Sequence, residues 1–205
     1  MKLITDRIVL ATHNRDKLSE MQHVLSVLKA RLFTLDDFPA IGDIAETGET
    51  LMENAFIKAR TVNQQSGLPA IADDTGLEVD ALNGAPGVYS ARYAGDSATY
   101  NDNVVKLLQD LKHLPIQQRT ARFRSVVSYV NGVIELWAEG TVEGIITDIP
   151  RGSRGFGYDP VFLIPRLNKT FAELSTEEKN KISHRGLALG KLRKLLTKTI
   201  LYPEI

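Results

Sequence analysis

Two adjacent aspartates, Asp73 and Asp74, in the segment IADDTGL (Ile71 to Leu77) are the pair of side chains here best suited to hold a hard divalent cation. Mg²⁺ is typically bound by one or two carboxylates, with phosphate oxygens and water completing its shell. An apolar strand delivers both aspartates at its end, next to Thr75 and Gly76. Successive strand residues face opposite sides, so one carboxylate faces a site while the other orients a neighbour. The same residues also read as a tight turn, and the sequence leaves both readings open.

Four further segments carry donors or acceptors. Thr12-His13-Asn14-Arg15-Asp16-Lys17 lies between a strand and a helix start, where unpaired backbone N–H groups and the helix dipole favour an anion. It is not a Walker loop, and an ordinary turn capped by Asn14 is the alternative. Glu46-Thr47-Gly48-Glu49 precedes a helix bearing Glu53, Asn54 and Lys58. Glu46 is a candidate metal ligand and Lys58 a candidate phosphate contact, or both are solvated charges near a helix N-terminus; Asn54 is a candidate for bonding a loop. In RGSRGFGYDP (Arg151 to Pro160) glycines let the backbone approach a ligand and leave Phe156 free to stack on a base. The alternative tucks Phe156 and Tyr158 into the core. In EEKNKISHRG (Glu177 to Gly186), Lys179, His184 and Arg185 gather donors where the last helix begins, with Ser183 as its cap, or form a charged helical surface.

The elements that must position these groups follow from apolar spacing. Arg7 to Ala11 reads as a buried strand, followed by a helix with Leu18, Met21, Leu25 and Leu28 on one face. Thr50 and Glu53 form a capping-box pattern for a helix with Leu51, Ala55, Ala59 and Val62 inward, ending at Gly67 before Pro69. Ala70 to Ala72 is a short strand, and Thr99 to Lys112 a helix with Val104, Leu107, Leu108 and Leu111 inward. Ala121 to Val130 and Val133 to Ala138 flank the hairpin signal Asn131-Gly132, and Thr141 to Thr147 gives another strand. Ser175 to Lys179 opens a short helix, and Leu189, Leu192 and Leu196 mark the last one. Strand, helix, strand, hairpin and helix in this order predict a mixed α/β sheet rather than a doubly wound fold.

Composition narrows the function classes. The 205 residues are 43% hydrophobic and 24% charged, ordinary globular values. Twenty-five basic residues balance 25 acidic ones, which argues against an extended nucleic-acid surface. Cysteine is absent and the four histidines are scattered, which excludes disulfides and thiolate metal sites. Asp6 and Arg7 interrupt the N-terminal segment, which does not read as a signal peptide, and no apolar run has membrane-spanning length. With no repeat or linker, one domain over residues 1–205, no membrane association and a cytoplasmic location are expected.

Taken together, THNRDK, AETGETLMENAFIKA, ADDTGL, GAPGVYSARYAG, GFGYDPVF and EEKNKISHRG, in this order across residues 12–186, resemble the inosine triphosphate pyrophosphatase family, which clears deaminated purine nucleotides. The resemblance implies an elongated, curved mixed sheet flanked by helices, two lobes with an active-site cleft between them, and a homodimer. It also implies Mg²⁺-dependent hydrolysis of dITP, ITP or XTP to the monophosphate and pyrophosphate. By resemblance Asp74 is the catalytic proton acceptor and a metal ligand with Glu46; Asp73 is a further candidate ligand. Thr12, His13, Asn14, Arg15, Asp16, Lys17, Lys58 and Thr75 match the phosphate and substrate contacts. Phe156, Gly157, Tyr158, Asp159, Lys179, His184 and Arg185 match the nucleobase pocket. His13 stands where the family commonly has a small residue, and Arg15-Asp16 replaces the usual x-Gly before the lysine, so a stiffer turn with a phosphate contact from His13 is expected. His184 and Arg185 would donate to a purine 6-carbonyl and oppose the 6-amino group of ATP. A Maf-type nucleotide pyrophosphatase and a nucleotide sensor without turnover are the competing readings.

Overall fold

The computed structural model describes residues 7–132 and 134–201. The expected absence of a leader in the first residues, and Val133 of the expected hairpin, lie outside the described residues. Strand β1 (Arg7–Leu10) leads to helix α1 (Arg15–Leu25) and strand β2 (Arg31–Phe33). Helix α2 (Leu51–Ser66) follows, then β3 (Ala70–Val79), β4 (Pro86–Gly87), α3 (Tyr100–Leu111), β5 (Thr120–Asn131) and β6 (Ile134–Ile146). The chain continues with β7 (Phe162–Ile164), β8 (Lys169–Thr170), α4 (Thr176–Ile182) and α5 (His184–Leu201). Among the described residues the strands hydrogen-bond in the order β2-β1-β3-β5-β6-β7-β8, with β4 on β3. β1 is parallel to β2 and β3, whereas β7 is antiparallel to β6 and β8. The sheet is therefore mixed, as the order of elements predicts.

The chain folds as two compact units, neither contiguous in sequence. The first comprises the described residues up to Asp74, Ser125–Gly140, and those from Arg185 onward; the second comprises Thr75–Arg124 and Thr141–His184. Because each unit is assembled from separate segments, no linker marks the division in the sequence.

In the first unit, strand alternation sorts two cores. Ile8, Leu10 and Ile71 pack with Met21 and Leu25 of α1 and with Leu189, Leu192 and Leu196 of α5. Val9, Ala11, Ala70 and Ala72 pack instead with Ala59 and Val62 of α2. Helix α2 is set by both ends of its sequence. Thr50 and Glu53 form a reciprocal capping box, and Gly67 closes the helix in the left-handed region at φ 68°, each end contributing on the order of 1 kcal/mol. In the second unit Leu77 and Val79 pack with Val104, Leu107 and Leu111 of α3 and with Phe123, Phe162 and Phe171. The rings of Phe162 and Phe171 stack at 5.3 Å.

Three expectations are corrected. Asp73 and Asp74 do not end a short strand; β3 continues ten residues through both and through Thr75 and Gly76, which removes the tight-turn reading. Their charges are met by buried cations, so polarity there does not mark an exit to solvent. The strands expected at 133–138 and 141–147 form one element, β6, of 13 residues, since Glu139 and Gly140 stay in the ladder. Helix α1 ends at Leu25, and Leu28 packs on the same core from the turn after it.

Candidate active site

In the first unit β3 carries Asp73 and Asp74, both buried, toward different partners. Asp73 follows the register of Ile71 toward α1 and α5. Its Oδ2 accepts from Arg185 Nε at 2.9 Å and lies 3.4 Å from Lys17 Nζ. The Arg185 guanidinium also donates to Glu20 of α1 through Nη1. Asp74 follows the register of Ala72 toward α2, with Oδ1 3.8 Å from Lys58 Nζ. Lys58 also donates to Glu46 Oε1 at 2.5 Å. The alternation of one strand thus gives each aspartate its own lysine.

These neighbours divide the two carboxyls electrostatically. Burial dominates at Asp74 and raises it above the ordinary carboxylate range; Lys58 and Lys17 oppose the rise and Glu46 and Asp73 add to it. Burial acts on Asp73 in the same sense, but Arg185, Lys17 and Lys58 together outweigh it and hold that carboxyl well below its ordinary value. Lys17 is lowered by burial, which Asp73 opposes and the nearby Lys58 and Arg185 reinforce. Burial also depresses Lys58, yet Asp74, Glu46 and Asp73 outweigh it and raise its proton affinity. The two adjacent carboxyls are thus pushed in opposite directions, Asp73 down and Asp74 up.

The donor set fits Mg²⁺. Oxygens of Glu46 and Asp74 both lie within 4 Å of one point, the Lys58 ammonium, and two hard carboxylates are what this ion takes from a protein when phosphate and water supply the rest. Among the described residues no group of three or more carboxylate, imidazole or thiol side chains gathers to hold an ion. Asp73 Oδ2 is engaged by Arg185 and Lys17.

The turn before α1 is held by its own side chains. Asn14 Oδ1 accepts from the N–H groups of Asp16 at 3.0 Å and Lys17 at 3.1 Å, and Thr12 Oγ1 accepts from Asn14 N–H at 3.2 Å. Asn14 thus caps the helix, as the alternative reading of that turn had it, and two of the N–H groups expected for an anion are occupied. His13, Arg15 and Asp16 are exposed, and His13 Nε2 lies 4.0 Å from Asp43.

The second unit assembles another cluster. Gly155 (φ +72°) and Gly157 (φ +59°) flank Phe156, whose N–H donates to Asp159 Oδ2 at 2.9 Å. A Cβ on Gly155 would come 2.0 Å from that oxygen, so only glycine fits. Lys179 also donates to Asp159 Oδ2, and its ammonium lies 4.8 Å from the Phe156 ring centroid. Tyr100 meets the same ring at 5.7 Å. His184 is buried, stacked on Phe123 at 4.4 Å. Tyr158 is in the core with its hydroxyl donating to Ser90 O at 2.9 Å, the alternative placement for that residue. Thr75, half-buried, is the first residue of this unit.

The structure brings Lys17, Glu46, Lys58, Asp73 and Asp74 together in one unit, and Phe156, Asp159 and Lys179 together in the other. His184 closes one segment of the second unit and Arg185 opens a segment of the first. Arg185 is 1% exposed with Nε and Nη1 spent on Asp73 and Glu20. These bonds make Arg185 a counter-ion to Asp73 and Glu20; its expected contact with the base remains a proposal. Sequence reasoning missed Glu20, whose only signal is an acidic residue beside the apolar stripe of α1. It left Glu46 and Glu49 hard to distinguish; Glu46 reaches Lys58, and Glu49 is exposed.

Comparison with known proteins finds a match to the Ham1 family model over residues 8–195. The dITP/XTP pyrophosphatase of a Thermoanaerobacter species is 48% identical, the alignment covering 95% of this chain and 98% of that one. The dITP/XTP pyrophosphatase of Coxiella burnetii is 47% identical with the same coverage. Among solved structures, a HAM1 protein from Coxiella burnetii superposes with a TM-score of 0.85 at 47% identity, over 94% of this chain and 98% of the other. The Ham1 protein of Staphylococcus aureus does so with a TM-score of 0.83 at 39% identity, over 93% and 98%.

Proposed function

The chain belongs to the Ham1 family, and from that premise we propose that it hydrolyses the non-canonical purine nucleotides ITP, dITP and XTP to the monophosphate and pyrophosphate. The observation that carries the chemistry is the buried Asp74, raised in proton affinity and facing the Lys58–Glu46 pair in the unit that also holds Lys17. Water attacks the α-phosphorus, the bond from that phosphorus to the pyrophosphate oxygen breaks, and Asp74 accepts the proton of the attacking water. Lys17 and Lys58 hold the departing pyrophosphate by charge. Glu46 and Asp74 are the residues that would hold Mg²⁺, which when bound neutralises phosphate oxygens and acidifies water. Arg185, fixed by Glu20, shares the charge of Asp73 with Lys17, so the ammonium of Lys17 is only partly compensated there and can also meet a phosphate.

For the base, Phe156 offers a ring held by two glycines, and Lys179 and His184 are the donors in the same unit. A purine 6-carbonyl accepts from such donors, whereas the 6-amino group of adenine meets them with a donor of its own. This polarity supports inosine and xanthosine nucleotides over ATP and disfavours the Maf-type reading. The retained Asp74 and Lys17 favour turnover over a sensor. Thr12, His13, Asn14, Arg15, Asp16, Thr75, Gly157, Tyr158, Asp159 and Arg185 remain proposed substrate contacts. A homodimer in the cytoplasm, where these nucleotides arise, completes the proposal. No described helix is long and apolar enough to cross a membrane.

The test is a panel of ITP, dITP, XTP, GTP and ATP with Mg²⁺ or with EDTA, with products identified. Pyrophosphate from the first three, abolished by EDTA and restored by Mg²⁺, is expected. Equal rates on ATP and ITP, or release of orthophosphate, would contradict the reading.

A further inference from the structure

The loop that carries Glu46 is fastened to the first turn of α2 at three successive backbone N–H groups. That of Gly48 donates to Asn54 Oδ1 at 2.8 Å, and those of Glu49 and Thr50 donate to Glu53 Oε2 at 2.7 and 3.1 Å. Glu53 belongs to the capping box; Asn54 does not. Gly48 is pressed so closely on the helix that a Cβ would lie 2.6 Å from Glu53 Cβ and 2.8 Å from Asn54 Oδ1. Two residues before Gly48, Glu46 meets Lys58, which stands one turn beyond Asn54 on α2. The helix therefore holds the loop twice, by its backbone through Asn54 and by its carboxylate through Lys58.

Asn54 is buried, yet its Nδ2 has no hydrogen-bond partner among the described residues. Two other asparagines, Asn103 and Asn63, are satisfied at both ends, whereas the Nδ2 of Asn180 is likewise unpartnered among the described residues. Asn103 accepts from Ala94 N–H at 2.8 Å and donates to Ala91 O at 3.0 Å. Asn63 accepts from Gly132 N–H at 3.2 Å and donates to Leu68 O at 2.7 Å. A buried amide donor left unpaired costs stability, so its retention beside Lys58 calls for an acceptor that arrives from outside.

We propose that Asn54 is a positioning residue for the carboxylate of Glu46, and that its Nδ2 is a donor kept for a phosphate oxygen of the bound nucleotide. This rests on the reading of Glu46, Lys58 and Asp74 as the site for metal and phosphate. With its acceptor removed in Asn54→Ala, Gly48 is released and Glu46 loses its fixed approach. In Asn54→Asp the acceptor remains, while the donor is lost and a carboxylate charge is added that itself opposes a phosphate.

The experiment measures Mn²⁺ binding to the nucleotide-free full chain by electron paramagnetic resonance, thermal unfolding midpoints, and KM and kcat for ITP. Asn54→Ala is expected to weaken Mn²⁺ binding by about 10- to 100-fold, the effect typical of removing a partner that orients a metal ligand. Gly48→Ala, which forces the loop off the helix, is expected to act in the same direction. Asn54→Asp is expected to keep Mn²⁺ affinity while raising KM for ITP by roughly tenfold with a smaller effect on kcat. A folded Asn54→Ala chain with a lowered midpoint but unchanged Mn²⁺ affinity would overturn the positioning role, and an unchanged KM in Asn54→Asp would overturn the donor role. Where Asn54→Ala does not fold, Gly48→Ala and Asn54→Asp decide the two points. A wild-type chain whose Mn²⁺ binding is indifferent to Glu46→Gln overturns the underlying site assignment, an outcome distinct from the failure of Asn54 alone.

Discussion

Replacing Arg185 by methionine keeps much of the side-chain volume and removes the cation that stands between two buried carboxylates. Asp73 is 0% exposed and Glu20 7%, so neither can recover its lost partner from solvent. Breaking a buried pair by removing one member costs roughly 3–5 kcal/mol, because a charge is left uncompensated. In a chain of this length such a loss lowers the unfolding midpoint by about 6–20 °C. The pH dependence has a definite sign. In the wild type the Asp73 carboxyl is held below its unfolded value, so its contribution is present above the unfolded pKa and is lost as pH falls through the folded one. Removing Arg185 takes away the largest of the charges that hold this carboxyl low, so its proton affinity rises relative to the wild type. The destabilisation of Arg185→Met is then largest near neutral pH and shrinks as pH falls and the stranded Asp73 carboxyl takes up a proton. Adding Glu20→Gln removes the second stranded charge, so the double variant is more stable than additivity predicts, by about 0.5–3 kcal/mol. Urea unfolding of the four members of this cycle at two pH values gives each quantity. A loss below about 1 kcal/mol for Arg185→Met with an unchanged denaturant slope, or strict additivity with Glu20→Gln, would refute the account of this network.

Asp74→Asn preserves shape and removes the proton acceptor, so turnover of ITP should fall by about 10²- to 10⁴-fold while nucleotide still binds, as equilibrium titration would report; an Asp74→Asn chain that turns over ITP at the wild-type rate would refute the role. Gly155→Ala forces a Cβ onto the Asp159 carboxylate at a positive φ and disturbs its bond to Lys179. KM for ITP should rise with a smaller change in kcat, and stability should drop by about 1–3 kcal/mol; equal KM values would detach this loop from base binding.

The legible parts of the protein are those where local chemistry and tertiary context agree. Thr50, Glu53 and Gly67 bound α2 as their types require, and Thr99 caps α3 where its position before an apolar stripe places it. The opposed directions of Asp73 and Asp74 follow from strand alternation alone. What escaped was decided by residues distant in sequence. β3 passes through two aspartates because Arg185, Lys17 and Lys58 meet them, and nothing in IADDTGL announces those partners. His184 and Arg185 are neighbours in sequence, yet the boundary between the two units falls between them, and no local pattern marks it. Glu20 had no pattern to mark it, since a buried glutamate and an exposed one on a helix edge read alike until the arginine is seen.

The central claim is that water attacks the α-phosphorus, and isotope placement tests it most directly. ITP hydrolysed in ¹⁸O-labelled water and analysed by mass spectrometry should yield labelled inosine monophosphate and unlabelled pyrophosphate. Label in the pyrophosphate, or in orthophosphate with a nucleoside diphosphate as the other product, would contradict the assignment of the site.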